Sequence, residues 1–204
     1  MSKLRIVPIV EGDGEVPSVP ILLRRIGQEL LGGVYIDVLK PILRPRSRLV
    51  ANKENELENS LGLAAFKLKN TDLTDFTPLI LVLLDADDDR VCELGPRLLQ
   101  DVKSFRSDLD VSFVLANLEY ESWFVGAAQS LGQYLNLAPN ELSVSPEATR
   151  SRKKWIEDRF KNRHYKETVD QPKLTAKMDL TLCRSRCPSF DKLCRELERR
   201  LVTN

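Results

Sequence analysis

The chain has 204 residues, of which 42% are hydrophobic and 30% are charged, and its formal net charge is +1. This length and balance fit one globular domain with room for an appendage. No apolar stretch approaches the roughly 18 residues that a membrane-spanning helix needs, and the N-terminus lacks the pattern of a signal peptide. We therefore expect a cytoplasmic protein without a membrane partner.

The small net charge hides an uneven distribution along the chain. Residues 150–204 hold 16 Lys and Arg against 8 Asp and Glu, whereas residues 1–149 hold 15 against 22. A basic segment of this kind indicates a charged partner, and nucleic acid is the usual one. The alternative is a solvated basic helix face that packs on the acidic half.

Four elements are predicted in the first half of the chain. Residues 4–10 are a continuous apolar run typical of a buried strand, although Pro8 cannot donate to a central ladder. Residues 19–30 then show helical spacing, and the pair Gly32-Gly33 ends that helix. A second strand is expected over residues 35–42. A helix over residues 57–68 follows.

The next elements complete an alternating pattern. LILVLL, residues 79–84, is typical of a strand buried on both faces of a parallel sheet. A helix is predicted over residues 94–105 and a fourth strand over 111–115. Residues 190–201 form an amphipathic terminal helix. Strands that alternate with helices predict an α/β fold, with a mostly parallel sheet flanked by helices.

Acidic residues follow three of the predicted strands. Glu11 follows the first in VEGDGE, Asp85 and Asp87 end the third in LLDADDD, and Glu121 follows the fourth. Parallel strands end at one edge, where ligands bind, and residues at i and i+2 of an extended segment share a face. Clustered carboxylates repel one another unless a cation neutralises them. Without His or Cys in the set, Mg²⁺ or Mn²⁺ is the expected ion.

Two glycines, Gly12 and Gly14, follow the first strand and are expected to let the turn approach a ligand closely. The next helix would present its N-terminus to an anion such as phosphate. Metal and phosphate at one strand edge indicate phosphodiester chemistry. Each acidic motif alone is weak evidence for a functional site, because acidic Gly-rich turns are common on protein surfaces. The position of all these motifs after apolar strands is more specific evidence for one.

The C-terminal segment supplies candidate phosphate contacts. RSRKKW, residues 150–155, places a basic run beside Trp155, whose indole could stack on a base. Alternatively, this run is the exposed side of a helix with Trp155 in the core. The predicted substrate-binding cations are Arg152, Lys153, Lys154, Arg184 and Arg186. Cys92, Cys183, Cys187 and Cys194 lack the two close pairs of a zinc site, so we expect reduced and partly buried thiols.

These motifs resemble those of the TOPRIM domain, found in topoisomerases, bacterial primases and the overcoming-lysogenization-defect nucleases. In that family a Glu-Gly pair follows the first strand, as in Glu11-Gly12, and a D-x-D motif follows a later strand, as at Asp85 and Asp87. The chain is also similar to a TOPRIM-like family known chiefly as a domain of unknown function. That similarity lies in VEGxxE, in the E-x-W motif at Glu121, and in residues 164–190.

The resemblance implies a TOPRIM-like catalytic domain over residues 1–130 and a basic helical C-terminal extension, residues 131–204, packed on it. It also implies a metal-dependent nuclease in which Glu11, Asp85, Asp87 and Glu121 are catalytic and hold the metal. Gly12 and Glu15 would contact substrate. Lys166, inside the family-like stretch, is the candidate for neutralising a transition-state phosphate, unless it is an ordinary surface lysine.

The leading hypothesis is therefore a Mg²⁺-dependent nuclease or phosphodiesterase that acts on DNA or RNA. Members of the similar family often neighbour ATPases and resemble components of bacterial anti-phage systems, so an ATPase partner is also expected. The second hypothesis is a non-catalytic module that binds a metal or an ATPase partner. A nucleotide-binding phosphotransferase is disfavoured because the sequence has no P-loop motif.

Overall fold

The computed structural model describes residues 3–148, 151–161 and 163–201, in which strands alternate with helices. The strands are β1 (Lys3–Val10), β2 (Ile36–Val38), β3 (Ile42–Leu43), β4 (Phe76–Asp85) and β5 (Val111–Ala116). The helices are α1 (Glu15–Glu29), α2 (Arg46–Val50), α3 (Glu56–Lys69), α4 (Val91–Phe105), α5 (Glu121–Gly126), α6 (Arg152–Arg159), α7 (Glu167–Thr175), α8 (Leu180–Arg186) and α9 (Pro188–Arg199). Short 3₁₀ turns lie at Lys53–Asn55, Ala128–Leu131 and Pro139–Ser143.

The sheet has the order β2-β1-β4-β5, and β3 also pairs with β1. Every pairing between these strands is parallel. Because parallel strands are joined by crossovers, helices cover both faces of the sheet. The predicted α/β class, with a mostly parallel sheet flanked by helices, is confirmed.

The predicted second strand is divided into β2 and β3, and Pro8 gives the reason. The carbonyls of Ile6 and Val10 accept from Leu39 N–H and Arg44 N–H on that side of β1. Pro8 lies midway between them and therefore faces the same side, where it has no N–H to donate. The pairing of β1 with β2 stops at Ile6, and the pairing with β3 begins at Ile9. The ladder is thus broken where the proline would leave it incomplete.

Two apolar layers enclose the sheet. On one face, alternate residues of β1, β4 and β5 pack with α1, α5 and the C-terminal helices, with Trp123, Phe124 and Phe190 at the centre. On the other face, the intervening residues pack against α3 and α4. Both faces of β4 are therefore buried, which accounts for its unbroken apolar sequence.

The C-terminal segment contributes to the same core as the first half of the chain. Leu174, Leu180 and Leu193 pack in the layer that contains β1 and α1. Trp155 is partly buried against this layer, and the Arg159 guanidinium lies 4.3 Å from the centre of its indole ring. Of the cysteines, Cys92 is exposed and the other three are buried thiols. No helix among the described residues is long and apolar enough to cross a membrane.

Candidate functional site

Four carboxyl groups lie at the carboxyl edge of the sheet. Glu11 directly follows β1, Asp85 is the last residue of β4, and Glu15 and Glu121 are the first residues of α1 and α5. Glu15 and Glu121 are each only 4% exposed. The predicted convergence of Glu11, Asp85 and Glu121 therefore occurs, with Glu15 as the fourth member. We call these four residues the acidic cluster.

Hydrogen bonds orient each member of the acidic cluster. Glu11 Oε1 accepts from the backbone N–H of Asp85, and Asp85 Oδ1 accepts from Tyr120 N–H at 2.8 Å. Glu15 Oε2 accepts from Glu11 N–H at 3.1 Å and from Gly12 N–H at 3.3 Å. These bonds use one oxygen of each carboxylate. The ends of β1 and β4 are consequently tied together by their own acidic side chains.

Burial raises the pKa values of all four groups, and repulsion from neighbouring carboxylates adds to the rise. Burial is the main cause of the rise for Glu11, whose pKa is about 7, and the nearby Asp87 carboxylate adds to it. Burial, followed by repulsion from Glu11, raises the pKa of Glu15 to about 8. The pKa of Asp85 lies well above its usual value because of burial and the charges of the other three. Burial raises the pKa of Glu121 to about 7, against a lowering hydrogen bond from Tyr165.

Asp87 does not share a face with Asp85, which corrects the prediction from i, i+2 spacing. The strand ends at Asp85, and Asp87 has a left-handed backbone with φ +49°. Its side chain is 58% exposed, and its Oδ2 lies 3.5 Å from Arg46 Nε. The same guanidinium donates to Asp85 O at 2.7 Å and to Ala86 O at 3.1 Å, and it pairs with Asp89. Arg46 therefore holds Asp87 at the exposed rim of the acidic cluster, where the Asp87 charge still raises the pKa of Glu11.

The EGDGE turn also differs from the prediction. Neither Gly12 nor Gly14 has a positive φ, since Gly32 and Gly33 are the described glycines that do. A Cβ on Gly14 would overlap with the side chain of Gln171 on α7, so this glycine admits a neighbouring helix rather than a ligand. The backbone N–H groups that were expected to meet a phosphate are partly occupied by Glu15. An acidic side chain in the first turn also suits the helix dipole.

Lys153 is close enough to the acidic cluster to interact electrostatically with Glu121, although its ion-pair partner lies outside the cluster. Its Nζ forms an ion pair with Glu167 Oε1, and the charges of Glu167 and Glu121 raise its pKa. Lys166 is exposed and starts α7, where its backbone N–H donates to Asp170 Oδ2 at 2.8 Å. We find no contact of the Lys166 ammonium with the acidic cluster in the described parts of the chain. In our proposal, Lys153 therefore replaces Lys166 as the residue that neutralises the charge of the phosphate in the transition state.

Three predicted substrate-binding arginines have structural partners instead. Arg152 is buried and donates to Pro146 O at 2.8 Å and Ser145 O at 2.6 Å. Arg186 donates to carbonyls of residues 126 and 144, and Arg184 pairs with acids at 191 and 198. We therefore leave these three out of the proposed site. Lys154 is exposed beside Asp158, and Arg150 lies outside the described residues.

Two site residues were missed at the sequence level. Tyr165 is buried, and its hydroxyl donates to Glu121 Oε1 at 2.9 Å. Arg46 holds the end of β4, as described above. Tyr165 lies inside the family-like stretch next to Lys166, so its position was a signal that could have found it. Arg46 had no such signal, because it is one of several arginines in RPRSR and its partners are distant in sequence.

The chemistry of the acidic cluster fits a hard divalent cation, because its donors are all oxygens and their charges repel one another. The side-chain orientations are less favourable. Within residues 3–148, 151–161 and 163–201, no three His, Cys, Asp or Glu side chains are arranged as a metal-binding group. Metal binding would therefore require some of the four carboxylates to turn from their backbone donors toward a common point.

Comparison with known proteins identifies the family. The model of DUF4276, a domain of unknown function, matches residues 10–198, and the chain belongs to this family. The predicted membership of a domain-of-unknown-function family is thus confirmed, while its TOPRIM-like character stays a prediction. No curated protein gives a significant match. The C-terminal region of the Burkholderia pseudomallei OLD protein is similar over 97% of this chain and 96% of that chain, with 12% identity and a TM-score of 0.39.

Proposed function

We propose that the chain is a Mg²⁺- or Mn²⁺-dependent phosphodiesterase that acts on nucleic acid. One observation carries the proposal: four carboxyl groups with raised pKa values are gathered at the carboxyl edge of a parallel sheet. Such an edge is where α/β sheets bind ligands, and perturbed carboxylates cluster at functional sites. A role in bacterial defence beside an ATPase is part of this proposal.

In this proposal, Glu11, Asp85 and Glu121 hold the metal, and Glu15 serves in place of Asp87. When bound, a divalent ion supplies charge neutralisation and polarises a phosphoryl oxygen. Glu11 has a pKa of about 7, so it can accept or release a proton near neutral pH. Lys153, whose charge interacts with that of Glu121, would stabilise negative charge on the phosphate. DNA and RNA are both admitted as substrates.

Calorimetric titration of Mg²⁺ and Mn²⁺ tests the metal site. We expect saturable binding by the wild type, with loss of binding in Glu11→Gln and in Asp85→Asn. Because the carboxyl groups are partly protonated near neutral pH, binding should release protons and strengthen as the pH rises from about 6 to 8. Glu58→Gln, an exposed carboxylate on α3, is the matched control. Absence of binding by the folded wild type, with or without an oligonucleotide, would exclude the metal-dependent reaction.

Cleavage of single-stranded and duplex DNA and RNA in the presence of either metal then tests catalysis. We expect Glu11→Gln to lower the rate by about 100-fold or more, since general acid–base groups contribute roughly that much. Glu58→Gln should retain the wild-type rate. Equal rates in both variants would attribute any cleavage to a contaminant or to another site.

The burial and the internal hydrogen bonds of the acidic cluster favour a second candidate function, that of a non-catalytic module. Glu15 and Glu121 are almost fully buried, and backbone N–H groups or the Tyr165 hydroxyl satisfy all four carboxyl groups. A cluster of this kind can remain protonated and connect strand ends without any ligand. In that case the metal titration would show no binding, and Glu11→Gln would alter stability alone.

A further inference from the structure

A cavity borders β5, the terminal strand of the sheet. Its volume is about 530 Å³, within the range of about 300–1,000 Å³ that is usual for ligand sites. None of the acidic cluster lines it. Its walls come from α4, β5 and the start of α9, and they include Cys92, Gly95, Leu99, Phe113, Leu115 and Pro188. The floor of this β5 cavity is therefore mostly apolar.

The cavity borders a strand edge that has no partner among the described strands. In the sheet order, β5 is terminal and pairs with β4 alone. The carbonyls of Asp110 and Ala116 accept from Ile80 N–H and Ala86 N–H, on the side of β4, so the backbone groups of residues 111, 113 and 115 point away from the sheet. All six residues of β5 are buried, and Val111, Phe113 and Leu115 are 5%, 7% and 5% exposed, so this edge borders the cavity rather than open solvent. The N–H and C=O groups of a terminal strand can pair with an added strand. Phe113 and Leu115 combine such groups with side chains in the cavity wall.

Gly95 keeps this cavity open. It lies inside α4, where glycine costs about 1 kcal/mol in helix propensity relative to alanine. Its φ is not positive, and a Cβ placed there would have Leu115 Cδ1 as its nearest neighbour, at 3.9 Å. Neither backbone strain nor close packing therefore requires glycine at this position. The missing side chain instead leaves space directly beside β5.

The rim formed by α9 is cationic. Lys192 and Arg199 share the carboxylate of Glu196, whose side chain is 8% exposed, whereas the two cations are 48% and 64% exposed. Arg195 also lines the cavity and pairs with Asp191. At the other end, Glu147 is engaged by the hydroxyl of Ser189 and the amide of Asn117. The exposed charge at the mouth is thus positive.

We propose that the β5 cavity is a docking site for an extended acidic peptide of a partner protein, which adds as a strand to the β5 edge. The free backbone groups would supply main-chain hydrogen bonds, and the apolar floor would accept alternate side chains. The cationic rim would select acidic residues between them. A nucleic-acid strand fits this cavity less well, because its sugar-phosphate backbone cannot form the main-chain hydrogen bonds of a β-sheet with the edge of β5.

Cys92 provides a native probe for the test, because it is exposed in the cavity while the other three thiols are buried. The ligand probe is a pool of capped octapeptides in which Glu alternates with Val, Ile, Leu or Phe. A second pool has Lys in place of Glu. We expect the Glu pool to slow alkylation of Cys92 by N-ethylmaleimide about tenfold and to bind at least about tenfold more tightly than the Lys pool. Fluorescence anisotropy of labelled pools measures the affinities.

Two glycine variants make the test specific. Gly95→Phe should fill the cavity and abolish binding of the Glu pool, as measured by anisotropy. Gly62→Phe places the same side chain on α3, where a Cβ would meet no atom within 4 Å, and should leave binding unchanged. Absence of protection by the Glu pool, equal binding of the Lys pool, or full binding by a folded Gly95→Phe variant would overturn the proposal. Displacement of the Glu pool by a single-stranded oligonucleotide would assign the cavity to nucleic acid and would overturn it as well.

Discussion

At the scale of single residues, the acidic cluster is held in an electrostatically unfavourable arrangement. Glu15 is buried beside Glu11, and the charges of both raise the pKa of Asp85. Hydrogen bonds from backbone N–H groups and from Tyr165 offset part of the repulsion. Because one pKa unit corresponds to about 1.4 kcal/mol, these groups make stability depend strongly on pH.

Glu15→Gln removes one buried charge and keeps an oxygen that can accept from Gly12 N–H. The folded-state pKa of Glu15 is about 8, against an ordinary value of 4.5, so the folded chain binds this proton more tightly than the unfolded chain. The wild type therefore loses stability as the pH rises through this interval. We expect the variant to gain about 1–3 kcal/mol in unfolding free energy near pH 8 and almost nothing near pH 5. Urea denaturation at both pH values measures this difference.

Glu58→Gln is the control for that measurement. Because Glu58 is exposed on α3, this substitution should change the unfolding free energy little at either pH. A gain of the same size at both pH values would show that the charge of Glu15 is not the cause.

Tyr165→Phe removes the hydrogen bond that lowers the pKa of Glu121. The pKa of Glu121 should therefore rise above about 7. The variant should lose about 1–2 kcal/mol near pH 8, where Glu121 is ionised, and less near pH 5, where it is protonated. Carboxyl-carbon NMR titration and denaturation at both pH values provide the measurement. An unchanged pKa of Glu121 would contradict the assigned hydrogen bond.

At the scale of elements, α2 is a clamp on the end of β4. This helix has five residues, yet Arg46 in its first turn binds the carbonyls of Asp85 and Ala86, 39 and 40 residues further along the chain. The same side chain pairs with Asp87 and Asp89. The turn that follows Asp85 is thereby fixed in a left-handed conformation at Asp87. Arg46 is thus a positioning residue for the acidic cluster.

Arg46→Met should leave two partly buried carbonyls without their charged donor and cost about 1–3 kcal/mol in unfolding free energy. It should also raise the pKa of Glu11, because the Arg46 charge lowers it. Arg90→Met is the control: Arg90 and its ion-pair partner Glu93 are both exposed, and the loss of this pair should cost about 0.5 kcal/mol or less. Thermal unfolding and NMR titration measure both effects. Equal costs in the two variants would argue against the clamp.

At the scale of the whole molecule, the C-terminal helices complete the core of the first half. Trp123 of α5 donates to Ser189 Oγ of α9 at 2.8 Å, and its ring packs on Phe190. Gly126, at the end of α5, lies against Cys187 between α8 and α9. Tyr165 reaches the acidic cluster from the same half. The edge of the sheet and the C-terminal segment therefore depend on each other for their structure.

Gly126→Ala tests this junction, because its Cβ would overlap with Cys187 Sγ. Overpacking of a core typically costs about 1–3 kcal/mol, and we expect a loss in this range by chemical denaturation. Gly132→Ala, where a Cβ would meet no atom within 4 Å, should be nearly neutral. The double variant Gly126→Ala with Cys187→Ala should recover part of the loss. If it recovers none, the overlap with this thiol is not the cause.

The alternation of strands and helices could be predicted from sequence because the buried strands are continuous apolar runs. Residues 111–115 were predicted as a strand and β5 is Val111–Ala116, while residues 57–68 were predicted as a helix and α3 is Glu56–Lys69. The helix α5 was not predicted, because all six of its residues are buried and they show no polar face. The division of β2 from β3 depends on pairing opposite Pro8, which apolar spacing does not reveal.

Three of the four acids could be identified from sequence, since Glu11 and Asp85 directly follow apolar runs, Glu121 lies shortly after a third, and a parallel sheet must bring such ends together. Which neighbours join them depends on the tertiary fold. Asp87 stays at the exposed rim because Arg46, distant in sequence, binds the turn that contains it, and Glu15 joins the cluster because its carboxylate accepts from the backbone of the preceding turn. Likewise, the position of Lys153 near the cluster depends on its ion pair with Glu167 of α7, which spacing along the chain does not reveal. Side-chain direction depends on these long-range contacts, and spacing along the chain does not encode them.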